Sequence, residues 1–146
     1  MFLILASAVA AMSAATPIHS AEIAHSSSTY QASYATESTV RLHEVEPRFA
    51  TRATTPVCRW QVDLVVNRAV SAEGRAIAAV GKSIHRFAPL SGSHAGSCDA
   101  ARSQINAEVV RYSRALAAKS TAVAQQDRAV LLQELDGIHA LSVKGG

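Results

Sequence analysis

VCRWQVDLVV, residues 57–66, decides the fold because its apolar and polar side chains alternate. The apolar set is Cys58, Trp60, Val62, Leu64 and Val66. A period of two places alternate side chains on opposite faces of a β-strand, and faces of different polarity are typical of an antiparallel sheet with one wet side. We therefore predict a strand over residues 57–70. Its first apolar-face residue, Cys58, is one of two cysteines in the chain, and Cys98 is the other.

The segment after this strand is predicted to return beside it. SAEG, residues 71–74, suits a hairpin connection, and residues 75–90 would form the returning strand. A helix over 75–90 is the alternative, because four apolar residues recur there at helical spacing: Ile77, Val80, Ile84 and Phe87. Gly81 disfavours that helix, and the first strand needs a partner for its backbone groups. We favour the strand on those grounds.

A helix is predicted to begin after the loop SGSHAGS, residues 91–97. Ser97 suits the N-cap position, and Asp99 places a negative charge in the first turn. One helix face would carry Ile105, Val109, Tyr112 and Leu116. Residues 98–136 form either one helix or two, the second capped by Asp127, and Gly137 suits a helix end.

These elements predict a small α+β fold. An antiparallel β-hairpin or short sheet would pack on one or two C-terminal helices in a single domain over residues 57–141, followed by a tail over 142–146. Hydrophobic residues make up 49% of the 146-residue chain, but aromatic residues make up only 5% and alanine supplies much of the rest. Because alanine buries little area, the core is expected to be thin and to need a covalent cross-link.

The N-terminal segment indicates export. MFLILASAVAAM, residues 1–12, is apolar but too short to span a bilayer, and small residues follow it. We predict a secretory signal peptide over residues 1–20, although no Lys or Arg precedes the apolar run, and an uncleaved apolar helix is the alternative. Residues 21–56, rich in Ser, Thr and Ala, are expected to be a flexible lead-in, with a short strand possible at 38–47. The mature chain is expected to have no transmembrane segment and to be periplasmic or secreted.

Export bears on the two cysteines, because an oxidising compartment converts such a pair into a disulfide. We predict a Cys58–Cys98 disulfide that ties the strand to the helix. The alternative is a small thiol- or metal-dependent enzyme that uses Cys98 at the helix N-terminus, with His94 as base or co-ligand. A metal site would also draw on His85 and His139, but the closely spaced ligand pairs of zinc sites are absent. We assign no catalytic residue, no metal ligand and no cofactor.

The charge pattern offers one further candidate site. The formal net charge is +3, and Arg75, Lys82 and Arg86 would align on one face of the predicted hairpin as an anion-binding cluster. Nucleic acid is an unlikely partner, because Arg102 and Arg111 fall on opposite sides of the predicted helix. The glycine- and serine-rich loop before the helix lacks the lysine of a phosphate-binding loop.

Function is therefore predicted by class only. We expect an exported, non-catalytic module that takes part in protein–protein interaction or associates with the cell envelope, with an unidentified protein partner. The alternatives are binding of an anionic polymer through Arg75, Lys82 and Arg86, and the small enzyme that would use Cys98 and His94. The sequence assigns no oligomeric state.

Overall fold

A computed structural model describes residues 10–47 and 54–145. In this part of the chain six strands precede one helix, with a short 3-10 turn at Ala78–Val80. The elements are β1 (Ala10–His25), β2 (Ser28–Val45), β3 (Val57–Ala72), β4 (Arg75–Ala76), β5 (Lys82–Arg86), β6 (Leu90–Ala95) and α1 (Cys98–Lys144). The predicted α+β class is confirmed, with an antiparallel sheet, a C-terminal helix and a Cys58–Cys98 disulfide.

Strand β3 organises the sheet. One edge of β3 pairs with β2, which pairs in turn with β1. The other edge pairs with three short antiparallel strands: β6 along residues 57–62, β5 along 65–68 and β4 along 71–72. Of the two alternatives for residues 75–90, the chain thus adopts the strand. The returning strand is interrupted by the 3-10 turn and by a bulge opposite Val66 and Asn67.

The predicted hairpin turn after β3 is confirmed. Glu73 and Gly74 form a two-residue loop between the paired residues Ala72 and Arg75. Both loop residues have positive φ, 52° and 74°. A two-residue hairpin loop needs positive φ at both positions if its twist is to match the twist of the flanking strands.

The prediction of a loop over residues 91–97 is wrong for most of its length, because residues 90–95 form β6 and pair with the start of β3. Serine and glycine gave no apolar alternation by which to recognise this strand. Gly92 has a specific reason to lie there: it is opposite Trp60, whose indole ring covers it. The predicted N-cap is confirmed, since the Ala100 amide donates to Ser97 Oγ at 3.2 Å.

Gly92 and Gly137 give a matched pair of stability predictions. A Cβ at Gly92 would lie 2.7 Å from Trp60 Cζ2, and that ring is buried, so we expect Gly92→Ala to lower the free energy of unfolding by about 1–3 kcal/mol. A Cβ at Gly137 meets nothing within 4 Å inside a helix, so we expect Gly137→Ala to raise it by about 0.5–1 kcal/mol. Urea denaturation measures both, and a shift of the same sign for both variants would contradict this packing.

The C-terminal helix is single and continuous. It runs 47 residues without a break, so Asp127 is not an N-cap and Gly137 does not end it. Ile138, one residue beyond Gly137, packs on a buried cluster, which favours continuation of the helix. The helix also includes residues 142–144 of the predicted tail, while residue 146 lies outside the described residues. Among the described residues, no helix combines the length and the apolar character that membrane crossing requires.

The expectation of a flexible lead-in over 21–56 is wrong for the residues that form β1 and β2. Small and polar residues conceal the pattern in these strands, which nevertheless bury Ile23, Ala32, Tyr34, Val40 and Leu42. The sequence analysis considered a short strand at 38–47. β2 covers most of that segment and ends at Val45, before Pro47. Residues 48–53 of the lead-in and residues 1–9 of the predicted signal peptide lie outside the described residues.

The chain divides into two compact units, and the single domain predicted over 57–141 needs correction accordingly, because both units also draw on residues before 57. Unit 1 falls within Met1–Ala14, Ser38–Leu64 and Phe87–Ala115, and unit 2 within Ala15–Glu37, Val65–Arg86 and Leu116–Gly146. The buried cluster of unit 1 consists of Val40, Leu42, Cys58, Trp60, Val62, Ala101, Ile105 and Val109. That of unit 2 consists of Ile23, Ala32, Tyr34, Val70, Val80, Ala124, Leu131 and Leu135.

Candidate functional site

In unit 1 the two faces of the sheet differ in character. The face that carries Cys58, Trp60 and Val62 packs on α1 and is buried. The opposite face carries mostly exposed polar side chains, in keeping with the predicted alternation of β3. On this face lie Arg41, His43, Arg59, Gln61, Ser91 and Ser93.

These side chains surround an open groove of about 560 Å³. It is lined by three consecutive residues from each of three strands, at positions 41–43, 59–61 and 91–93. The middle residues Leu42 and Trp60 belong to the buried cluster on the helix side, so they contribute backbone to the floor of the groove. The flanking residues supply its walls. We call this feature the outer-face groove.

The outer-face groove is cationic. Arg59 is exposed and has no acidic partner among residues 10–47 and 54–145. Arg41 is 57% exposed, and its Nη1 lies 3.5 Å from Oδ2 of Asp63, a long contact for an ion pair. The Gln61 amide donates to Oδ1 of the same aspartate at 3.3 Å. Asp63 therefore partly neutralises Arg41 and leaves Arg59 unpaired.

Cys98 and His94 do not form a thiol site in this structure. The sulfurs of Cys58 and Cys98 are bonded to each other, so neither is available as a nucleophile or a metal ligand. The His94 ring stacks on Trp60, with ring centroids 6.4 Å apart, on the helix side of the sheet. The Cys98 amide donates to a Glu44 carboxylate oxygen at 2.9 Å, so the start of α1 already binds an anionic group of the chain itself.

The structure does not gather Arg75, Lys82 and Arg86 on one face. Lys82 lies opposite Arg68, on the helix side, where it pairs with Glu134. Arg86 lies opposite Val65, which belongs to the face of β3 opposite to its buried helix-side residues, so Arg86 lies on that other face. In a regular strand, residues 82 and 86 would share a face, but the bulge between Val66 and Asn67 adds one residue to β5 and reverses the alternation. Arg75 is exposed in β4, at the hairpin end.

The histidines considered as metal ligands are likewise dispersed along the fold. His85 lies in β5, His94 in β6 and His139 in α1. Within the part of the chain that the structure describes, no three His, Cys, Asp or Glu side chains lie close enough to hold a metal ion.

Unit 2 contains a buried charged network that the sequence analysis missed. The side chain of Arg68 is fully buried, and it donates through Nη1 to Asp127 Oδ2 at 2.7 Å, through Nε to the Val80 carbonyl at 2.9 Å and through Nη2 to Glu134. The Tyr34 hydroxyl donates to the same Asp127 oxygen at 2.9 Å. The signal was present in the sequence, because continuing the alternation of β3 past Val66 places Arg68 on the apolar face.

The network shifts the ionisation of its members. Burial alone would lower the pKa of Arg68, but hydrogen bonds and charge from Asp127 and Glu134 raise it. Burial alone would raise the pKa of Glu134, but hydrogen bonds from Lys82 and Arg68 lower it. Burial, together with the bond to Asp127, raises the pKa of Tyr34 well above its ordinary range. All three groups therefore keep their neutral-pH protonation states, and the network is suited to structural support.

Acid should weaken unit 2 through Glu134. The pKa of this carboxyl is lowered from its ordinary value of 4.5, so its stabilisation is present above that pH and is lost as the pH falls through the depressed folded value. We expect Glu134→Gln to lower the free energy of unfolding at pH 7, with a difference from the wild type that shrinks below about pH 4.5. Urea denaturation between pH 3 and 7 measures it. Glu108→Gln, at a glutamate of the same helix, is the control substitution. A difference between Glu134→Gln and the wild type that stays constant with pH would contradict this role.

Comparison with protein-family models, with curated proteins and with solved structures found no match to this chain.

Proposed function

We propose that the protein is an exported, non-catalytic binding module whose binding surface is the outer-face groove. The observation that carries this proposal is the groove itself: about 560 Å³, open, and walled by polar side chains from three adjacent strands, all of them exposed except the half-buried Gln61. Its volume lies in the range typical of ligand sites, about 300–1,000 Å³. The unpaired guanidinium of Arg59 supplies a directional donor in its wall.

The placement of the disulfide supports a binding role for this face. Cys58 directly precedes Arg59 in β3, and its bond to Cys98 holds that strand to the start of α1. Binding sites are more effective when rigid elements hold their side chains, since less entropy is lost on association. The cross-link therefore serves the groove as well as the stability of unit 1.

The N-terminal strand is compatible with processing by a signal peptidase. Residues 11–17 are exposed throughout, and of the segment up to Ser20 only Ile18 packs on a described buried cluster. Cleavage near Ser20 would remove much of β1 yet leave Ile23 and the remaining core residues in place. Export would also provide the oxidising compartment in which the disulfide persists.

Site-specific photo-crosslinking tests the proposed surface. A photoreactive amino acid replaces Ser93, in the wall of the groove, or Gln104, exposed on α1 of the same unit, and the protein is irradiated in its own cells. We expect an adduct at position 93 that Arg59→Ser diminishes, and little adduct at position 104. Equal adducts at the two positions, or none at 93, would contradict the assignment of the groove.

A further inference from the structure

We propose that the ligand of the outer-face groove is a carboxylate-bearing polysaccharide, with Arg59 and Arg41 holding its carboxylates. This inference rests on the proposed function, because it names the chemistry of the ligand for that same surface. It replaces the cluster of Arg75, Lys82 and Arg86 as the anion-binding candidate, since the fold separates the members of that cluster.

The charge of the groove is complementary to a carboxylate-bearing ligand. Arg59 has no acidic partner in the described part of the chain, and Arg41 is more than half exposed and only loosely paired with Asp63. These two side chains come from neighbouring strands, and both line the groove. A guanidinium presents a planar fork of donors that matches a carboxylate, so each arginine can hold one carboxylate of a polymer that lies along the groove.

The uncharged walls point to a hydroxyl-rich ligand. Ser91 and Ser93 on one side and Gln61 in the middle each offer both donors and acceptors. None of the six wall side chains is aliphatic or an exposed Phe, Tyr or Trp. Protein interfaces are anchored chiefly by aromatic side chains and arginine, and of these the walls offer arginine alone. A sugar chain with hydroxyls and carboxylates matches these walls better.

Two other polymers fit the groove less well. A peptide strand cannot pair with β3 beneath the groove, because β3 is already paired there with β2 and with β6. Single-stranded nucleic acid binds through bases stacked on exposed aromatic rings, and Trp60 turns its ring to the buried side. Two arginines, one of them partly neutralised by Asp63, also give few phosphate contacts.

Titration calorimetry with purified, disulfide-bonded protein tests this inference, with polygalacturonate as the probe and with neutral dextran and polyglutamate for comparison. We expect binding of polygalacturonate, weakened about tenfold or more by Arg59→Ser and reduced as salt rises. Arg111→Ser, which removes the same charge from the exposed face of α1, should change the affinity less than about twofold. Neither substitution removes a described internal contact, so both variants should fold.

The alternative outcomes are distinct. Equal weakening by Arg59→Ser and Arg111→Ser would overturn the inference, because it would show only general attraction of a polyanion. Tighter binding of polyglutamate than of polygalacturonate would overturn it in favour of an acidic protein partner, with the proposed function intact. Absence of binding to every polyanion, together with a crosslinked adduct at Ser93, would reject the ligand class alone, whereas loss of that adduct would reject the proposed function as well.

Discussion

Replacing Arg68 with methionine is expected to lower the free energy of unfolding by about 3–5 kcal/mol. The substitution leaves a methylene stem in place but removes the cation that contacts Asp127 and Glu134. Glu134 retains Lys82, but Asp127 keeps only the Tyr34 hydroxyl, and its side chain is 7% exposed. A buried carboxylate that keeps only a hydroxyl partner has lost its compensating positive charge, and that loss is costly.

Two further variants separate this effect from a general loss of packing. Arg75→Met removes an exposed arginine and should change stability by less than about 0.5 kcal/mol. The double variant Arg68→Met, Asp127→Leu removes both charges, and it should be more stable than Arg68→Met alone. Urea denaturation of the three proteins at pH 7 gives the comparison. If Arg68→Met were no more harmful than Arg75→Met, the buried network would have no structural role.

Removing the disulfide in the double variant Cys58→Ala, Cys98→Ala is expected to lower the free energy of unfolding by about 4 kcal/mol. The bond joins residues 40 apart in sequence, and the entropy that it removes from the unfolded chain corresponds to roughly that amount. Small domains are stable by only about 5–15 kcal/mol in total, so this loss is a large fraction of the whole. Cys58 is fully buried, which adds a packing loss in the same direction.

Reduction of the wild-type protein provides the matching control, because it removes the bond without changing the sequence. Guanidinium denaturation with and without reductant should show a shift in the wild type and none in the double variant. Equal stability of the oxidised wild type and the double variant would show that the bond does not support unit 1.

Local patterns predicted the elements that have one apolar and one polar face. The alternation from Cys58 to Val66 gave β3, and the spacing of Ile105 and Val109 gave the buried face of α1. The sequence analysis did not predict β1 and β2 as strands, because most of their side chains are small or polar and give only a weak local preference for a strand. Burial of a few residues in the tertiary structure, such as Ile23 and Tyr34, outweighs that weak preference. β6 was not predicted for the same reason.

Local sequence patterns could not predict the candidate site, for a different reason. Arg41 and Arg59 are 18 positions apart and line the same groove only because β2 pairs with β3, which no local signal specifies. Conversely, the sequence predicted that Lys82 and Arg86 share one face of the hairpin. One extra residue at the bulge places them on opposite faces of the sheet. Positions that depend on register, rather than on periodicity, therefore require the structure.

Export with oxidation of the Cys58–Cys98 pair is the claim on which both the stability argument and the proposed function depend. The intact mass of the protein from its own cells, after alkylation of free thiols and with or without prior reduction, tests it most directly. We predict a chain shortened by a signal peptide of about 20 residues that takes up two alkyl groups only after reduction. A full-length chain, or one alkylated at Cys98 without reduction, would contradict the account.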